Sequence, residues 1–266
     1  MTLISLLLLA TLVPSPTRSG KIYLHLILFN LASVDVGIIN GTEAKPHSRP
    51  YMVSVQRNGK HTCGGFLVSE HFVMTAAHCW NYSNIGEKLT VVLGAHELQK
   101  SNSALGRVAV KFYHIHPMYD SERLLNDIML LQVNHQTHTW IPIPTKDKDI
   151  KAKQACSVAG WGRQETNGSV SKRLMEVDVR VMDNKLCQKY WRTVYSALRM
   201  VCAERGFCQG DSGGPLVCKG TAVGIVSFTD SKSCNSPKML PNVYTKISKF
   251  LPWINGIKQD SRKAGL

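Results

Sequence analysis

An all-β fold, with strands closed into barrels or stacked as a sandwich, is what the sequence predicts. Three observations carry that expectation. Short stretches rich in Val, Ile, Leu and Thr recur between residues 51 and 245, with turn residues between them. Only one stretch, near the C-terminal end, has convincing helical periodicity. The chain has 266 residues, 44% of them hydrophobic, enough for one large β domain or two small halves around one site.

Residues 1–37 stand outside the predicted fold. Leu3 to Val13 is an apolar run closed by Pro14, Ser15 and Pro16, and a second run, Ile22 to Ala32, follows Lys21. Each is too short for an ordinary transmembrane helix; together they read either as an unusually long secretory leader or as a leader whose true start lies later in the chain. Strands are expected at Tyr51 to Gln56, Thr62 to Val68 and Phe72 to Ala76, with Asn58-Gly59 as a hairpin turn. His78 and Cys79 follow at a short helical turn. Further strands are expected at Leu89 to Leu93, Arg107 to His114, Ile128 to Val133, Ala155 to Ala159 and Met175 to Val181. The last are Leu216 to Cys218, Thr221 to Ser227 and Asn242 to Thr245. Ile247 to Lys258 reads as the helix, because Phe250, Trp253, Ile254 and Ile257 recur at a spacing near 3.6. The polar stretch Gln259 to Leu266 is expected to fray.

Lys and Arg number 32 against 18 acids, a formal net charge of +14. Such a surface attracts polyanions. No helix-turn-helix, zinc-finger or base-stacking signature accompanies the charge, so a sulfated glycan fits better than a nucleic acid. Eight cysteines behind a secretory leader are expected as disulfides, with 105 pairings open by arithmetic. Their spacing shows no paired ligand knuckles, so no metal is called for. No cofactor is called for either.

The candidate chemistry centres on Cys208-Gln209-Gly210-Asp211-Ser212-Gly213-Gly214-Pro215. A Ser among glycines reads as a tight turn that exposes one hydroxyl and aims backbone N–H groups at whatever it attacks. A Ser hydroxyl needs a base to take its proton, and the base needs an acid to orient it. Thr75-Ala76-Ala77-His78-Cys79 and Asn126-Asp127-Ile128-Met129-Leu130-Leu131 offer them. Singly, Ser212 and Asp127 are as readily turn residues, and His78 is one of ten histidines. Together, and in this order, the three motifs resemble those of the chymotrypsin-like serine proteases, and more closely the granzyme and mast-cell-protease branch.

That resemblance implies two six-stranded antiparallel β-barrels packed together with a C-terminal α-helix. It divides the chain into a leader and short propeptide (1–37), an N-terminal barrel (38–140), a C-terminal barrel (141–245) and a helix with tail (246–266). It implies a secreted endopeptidase in which Asp127 orients His78 and His78 takes the Ser212 proton. The Gly210 and Ser212 N–H groups would bind the oxyanion. It implies the pairs Cys63–Cys79, Cys156–Cys218, Cys187–Cys202 and Cys208–Cys234. The mature chain would begin at Ile38, whose new ammonium pairs with Asp211. A trypsin-type activator would need Lys or Arg at position 37, where Gly37 stands. Val36-Gly37 is instead read as a dipeptide removed by a dipeptidyl peptidase or other protease. Calcium-binding relatives carry an acid after a Leu-Gly pair, whereas Leu93-Gly94 here leads into Ala95-His96.

The substrate pocket departs from the commonest patterns. Its base falls at Gly206, where trypsin-like enzymes have Asp. Phe207 is expected to fill much of the cavity, and Ser227-Phe228-Thr229 to form a wall narrowed by Thr229. Asn242 forms another wall, Gln209 lies at the rim, and Lys238 is a further rim candidate. The Cys202–Cys208 segment is shorter than in trypsin-like members. These features imply a small or medium uncharged residue before the cut bond. An Asp placed at 206 in a widened pocket should begin to admit Lys or Arg.

Sequons stand at Asn40, Asn81 and Asn167. The partners implied are peptide substrates, serpin-type inhibitors and heparin-like proteoglycans, for a monomer stored in secretory granules. Two alternatives stand beside this reading: a catalytically weak or silent binding protein on a protease fold, and a digestive elastase-like enzyme. Silent relatives usually lose a residue of the catalytic set, whereas His78, Asp127, Gly210, Asp211 and Ser212 are all present. The absence of a basic activation residue and the high positive charge count against the digestive enzyme.

Overall fold

The computed structural model describes residues 38–39, 41–80, 88–99, 106–134, 139–163, 165–204, 206–230, 234 and 240–263. All fall within one compact unit, residues 35–266. Six strands form a closed antiparallel barrel: β2 (Met52–Arg57), β3 (Lys60–Ser69), β4 (Phe72–Thr75), β7 (Met129–Val133), β6 (Arg107–Ile115) and β5 (Leu89–Leu93), in that order around the wall. Their inward residues, among them Val53, Phe66, Val73, Leu89 and Leu131, are buried in one cluster. Closure leaves this barrel no unpaired edge.

The second sheet differs from the six-stranded expectation. It has seven strands, in the order β1 (Thr42–Glu43), β9 (Met175–Arg180), β8 (Ala155–Gly160), β11 (Pro215–Cys218), β12 (Thr221–Phe228), β13 (Asn242–Lys246) and β10 (Met200–Ala203). The seventh is β1, which pairs Thr42 with Glu176 and Glu43 with Met175. A segment that precedes the first barrel in sequence thus joins the second sheet in space, and a cut at residue 140 does not separate the two. Among the described residues, the first and last of the remaining six strands meet through a short contact. Val181 bridges Ala203, the Met182 N–H donates to the Cys202 carbonyl at 2.9 Å, and the Glu204 N–H donates to Arg180 at 3.0 Å.

One further helix, α1 (Asn184–Trp191), was not expected from the sequence. It is capped by Asp183, whose carboxylate accepts the Lys185 N–H at 2.8 Å. At the C-terminal end, Ile247–Phe250 forms a 3₁₀ turn and α2 runs Leu251–Lys263. The helix continues past Lys258, so Gln259–Lys263, expected to fray, is helical, and 264–266 lie outside the described residues. Polar contacts hold this last part: Lys258 Nζ donates to the Val68 carbonyl at 3.1 Å, and Ser261 Oγ to Gln132 Oε1 at 3.2 Å. Phe250, Leu251 and Ile254 are buried in the first barrel's cluster, so the end of the chain straps back onto its first half. Among the described residues, no helix is long and apolar enough to cross a membrane.

The four disulfides are Cys63–Cys79, Cys156–Cys218, Cys187–Cys202 and Cys208–Cys234, the pairing that the resemblance implies. Arg49 adds a polar tie between the sheets. Its guanidinium donates to Tyr51 Oη before β2, to Ser157 Oγ in β8 and to Glu176 Oε2 in β9.

Candidate active site

The first barrel delivers an imidazole and a carboxylate from two neighbouring strand ends. β4 stops at Thr75, and a single 3₁₀ turn, Ala77–Cys79, follows it. That turn places His78 beside Asp127, two residues before β7. Asp127 is fully buried, and an unpaired charge there would be costly. Its Oδ1 accepts the His78 backbone N–H at 2.9 Å. Its Oδ2 accepts His78 Nδ1 at 2.7 Å and Ser227 Oγ at 2.5 Å. Since a carboxylate only accepts, Nδ1 holds the ring proton and Nε2 keeps its lone pair. Burial works against a proton on His78, but the charge and hydrogen bond of Asp127 outweigh it and hold the pKa above its ordinary value. Burial likewise opposes charge on Asp127, and the His78 and Ser227 contacts overcome it, leaving that pKa lowered.

Two residues that the sequence did not single out fix the Asp127 backbone. Thr245 Oγ1 donates to the Asp127 carbonyl at 2.9 Å. Asn126 sits at φ 57°, a region that Asn tolerates, and its amide bridges the Met118 carbonyl and the Arg199 guanidinium. Nothing in local sequence pattern signals Thr245, whose partner lies 118 residues away.

The second sheet delivers the Ser turn just before β11. The Gly64 N–H of β3 donates to the Ser212 carbonyl at 2.8 Å, which docks the turn against the first barrel. Gly213 has φ 83°, and a Cβ there would lie 2.1 Å from Thr75 Oγ1. Gly210 has φ 98°, and its Cβ would lie 2.9 Å from the Gly162 Cα. Only glycine meets both demands. The Ser turn therefore packs directly on Thr75 and Ala76, the residues that lead into His78.

Asp211 is buried beneath this turn. Its carboxylate accepts the Gly162 N–H at 2.7 Å and the Cys208 N–H at 3.1 Å. Gly160 and Gly162 leave it room, since a Cβ on either would lie within 2.5 Å of its carboxyl atoms. Burial pushes its pKa up to about 7, against the pull of those two N–H groups. Ile38 is fully buried in the core cluster of the second sheet and has φ 58°, a strained value for a β-branched residue.

The pocket candidates are placed as follows. The Asn242 side chain is fully buried, and its Oδ1 accepts the Gly206 and Phe207 N–H groups at 2.6 and 3.3 Å. Gly206 does not face open space in the direction of a side chain. A Cβ there would meet Val179 at 2.7 Å and Val158 at 3.0 Å, so an Asp would point into the sheet's valine core. Phe207 is likewise in that core, its ring edge-on to Tyr244 with centroids 5.2 Å apart. Phe228 packs edge-on to Trp191 of α1 at 4.9 Å. The Thr229 and Tyr244 hydroxyl oxygens are buried with no partner among the described residues. Gln209 is exposed, and its carbonyl accepts the Arg163 N–H at 2.7 Å. Asn167 is exposed, whereas Asn40, Asn81 and Lys238 lie outside the described residues. Cys63, His78 and Cys79 come close enough to suggest a metal, but both sulfurs are already joined to each other.

Comparison with known proteins places this geometry in a family. A family profile described as Trypsin matches residues 38–254. Granzyme B of Rattus norvegicus is 38% identical over 250 residues, which cover 88% of this chain and 97% of the relative. Chymase of Canis lupus familiaris is 38% identical, covering 85% of this chain and 91% of the relative. The solved structure of human heparin binding protein aligns with a TM-score of 0.70 at 34% identity, covering 82% of this chain and 96% of that one. The chain belongs to the trypsin family and is a serine endopeptidase of its granzyme and mast-cell-protease branch.

Proposed function

We propose that the chain hydrolyses peptide bonds by acyl transfer through Ser212, His78 and Asp127. The observation that carries this is the buried Asp127 carboxylate, whose bond to Nδ1 leaves His78 Nε2 free to accept a proton. In the proposed cycle the Ser212 oxygen attacks the scissile carbonyl as His78 takes its proton. The Gly210 and Ser212 N–H groups receive the oxyanion. The amine departs with the proton from His78, and water then releases the acyl group by the same route. Activation is a cut before Ile38, by a dipeptidyl peptidase or other protease, that brings an ammonium to Asp211. A buried carboxylate with a pKa of about 7 gains strongly from such a partner.

The residue before the cut bond is small or medium and uncharged: Asn242 ties down the Gly206–Phe207 backbone, and the resemblance assigns Thr229 to the pocket wall. Relatives named granzyme and chymase, together with the net charge of +14, support secretion and storage in granules on heparin-like glycans. Serpin-type inhibitors, a monomeric state and a glycan on exposed Asn167 complete the reading. The silent binding-protein alternative is not favoured, because no residue of the catalytic set is missing.

The test starts from a chain that begins at Ile38. A mixed peptide library should be cut after Ala, Val, Thr, Met or Leu, and Ser212→Ala should abolish cutting while the protein stays folded. A serine-directed phosphonylating reagent should label Ser212 only when His78 is present. Heparin should retain the protein to higher salt than a plain cation exchanger does, with release towards ~1 M, where the Debye length is about 3 Å. A library profile dominated by Lys or Arg overturns the pocket reading, and unchanged cutting by the Ser212→Ala chain overturns the mechanism.

A further inference from the structure

The proposed chemistry leaves unused the segment that runs from α1 to the start of β10. It is firmly held from within. The Cys187–Cys202 disulfide ties the helix to β10. Tyr195 is buried, with its Oη 2.7 Å from Asn184 Oδ1 and 3.2 Å from the Met200 carbonyl oxygen. The Trp191 indole donates to the Pro241 carbonyl at 2.9 Å. The Gln188 side-chain amide donates to the Arg192 carbonyl, where α1 gives way to a 3₁₀ turn.

The outer side of this rigid segment is both apolar and basic. Leu186, Tyr190, Val194 and Leu198 are each between 40% and 60% exposed. They make up half of the large apolar side chains that stand exposed among the described residues. Leu186 and Tyr190 lie four apart in α1 and so share a face. Lys185 and Lys189 form a second such pair beside them, and Arg192 follows. All three cations are exposed and make no ion pair among the described residues. From residue 183 to residue 203 the one acid is Asp183, whose carboxylate is taken up by the Lys185 N–H.

Exposed apolar side chains gain from leaving water, and unpaired cations gain from a nearby anion. A sulfated glycan would answer the cations alone. A bilayer with acidic phospholipids answers both, because anionic headgroups lie directly over hydrocarbon. Tyr suits that boundary, with an apolar ring and a polar tip. We propose that the outer face of residues 185–198 docks this protein on membranes rich in acidic phospholipid. The contact is peripheral and reversible, since the apolar and the charged contributions are each weak alone. Trp191 of the same helix packs on Phe228, next to Ser227, so the docked face lies beside the proposed active site. The docking itself stands on this face and does not require the protease reading.

The experiment sediments the chain beginning at Ile38 with vesicles in physiological salt. This start keeps all the described residues and removes the apolar runs of the leader, which would bind lipid on their own account. One set of vesicles is phosphatidylcholine alone, the other phosphatidylcholine with phosphatidylserine. The protein should sediment with the second set and only weakly with the first. Leu186→Ser together with Leu198→Ser should lower the partition onto phosphatidylserine vesicles about tenfold or more. Lys189→Gln together with Arg192→Gln should lower it about tenfold or more as well. The paired Leu change should leave turnover of a soluble peptide and elution from heparin as they are in the unaltered protein. Should that pair prove unstable, Leu198→Ser alone, at the most exposed of the four positions, gives the same effect at smaller size. No binding of the unaltered protein to phosphatidylserine vesicles overturns the proposal. So does binding that the Leu changes leave untouched, which would mean attraction to the basic surface as a whole. Earlier elution of the Leu variant from heparin, with its vesicle binding intact, would assign the face to a glycan instead. None of these results touches the protease reading, which fails only if the unaltered protein neither cuts peptides nor is labelled at Ser212.

Discussion

In the first barrel the buried carboxylate, Asp127, is met by an imidazole, a hydroxyl and a backbone N–H. In the second sheet the buried carboxylate, Asp211, is met by two backbone N–H groups and has no cation among the described residues. The two acids lie at similar depth and respond in opposite directions: one pKa is lowered, the other rises to about 7. Burial alone therefore does not decide the charge state; the partner does. The His78–Asp127 pair is thus complete in the uncut chain, whereas in the proposed activation the Ser turn above Asp211 waits for one more charge.

The largest test of that contrast is Asp127→Asn. In a chain beginning at Ile38 it should lower kcat/KM by about 10⁴-fold, the scale seen when a triad loses the acid that sets the His tautomer. Steady-state kinetics would show it, and a loss under tenfold would break the comparison. Asp211→Asn should instead make cut and uncut chains equally poor, which the same assay reads as a lost difference between them.

Next in size is Gly206→Asp. Its carboxylate would enter the core against Val158 and Val179, so unfolding stability should fall by about 3 kcal/mol or more. Denaturant melts would measure this. A stable variant that cuts after Lys or Arg would show that position 206 faces the pocket after all.

The pH dependence of the uncut chain comes third. The folded pKa of Asp211 is raised, so the native state keeps a proton that the unfolded chain has already lost. The stability this group confers should therefore decline as pH rises from about 4 to about 7, by roughly 2–4 kcal/mol, and level off above that. Melting curves of the uncut protein, compared with its Asp211→Asn form, isolate the slope. Parallel curves for the two would count against an ionising Asp211. The smallest effect is Ser227→Ala, which removes one of three donors to Asp127. About a tenfold loss in kcat is expected, from the worth of one hydrogen bond to a charged group.

The sequence was most readable where pattern is local. Eleven strands are in place within one or two residues, because alternating apolar runs and turn residues mark them without reference to distant partners. β1, two residues long, and β10, four residues of which all are buried, escaped. Thr42 and Glu43 are both exposed, so no apolar run marks β1, which forms because Glu176 and Met175 offer it an edge. Leu186, Cys187, Tyr190 and Trp191 recur at helical spacing, but α1 is only eight residues long and buries only Cys187, too short a signal to mark a helix. At the site, the motif residues were legible through resemblance, and their supports were not. Thr245 reaches the Asp127 carbonyl across 118 residues, and the Arg199 guanidinium reaches the Asn126 side chain across 73. Gly206 shows the limit of carrying a position over by count: the direction of its missing side chain, towards Val179 and Val158, depends on how the short Cys202–Cys208 segment folds.

The φ of 58° at Ile38 has a consequence of its own. A φ angle is a torsion measured against the carbonyl carbon of the preceding residue. When the bond to residue 37 is broken, that reference atom departs and the torsion ceases to exist. Whatever the uncut chain loses by holding a β-branched residue there, on the order of 1–3 kcal/mol, disappears with the proposed cut. The isoleucine side chain, buried in the second core, would keep its seat there in the proposed cut chain while its backbone relaxed. Cleavage would then work as a latch with two parts, a new positive charge and a released twist, and a blocking group on the Ile38 nitrogen would undo the first and restore part of the second.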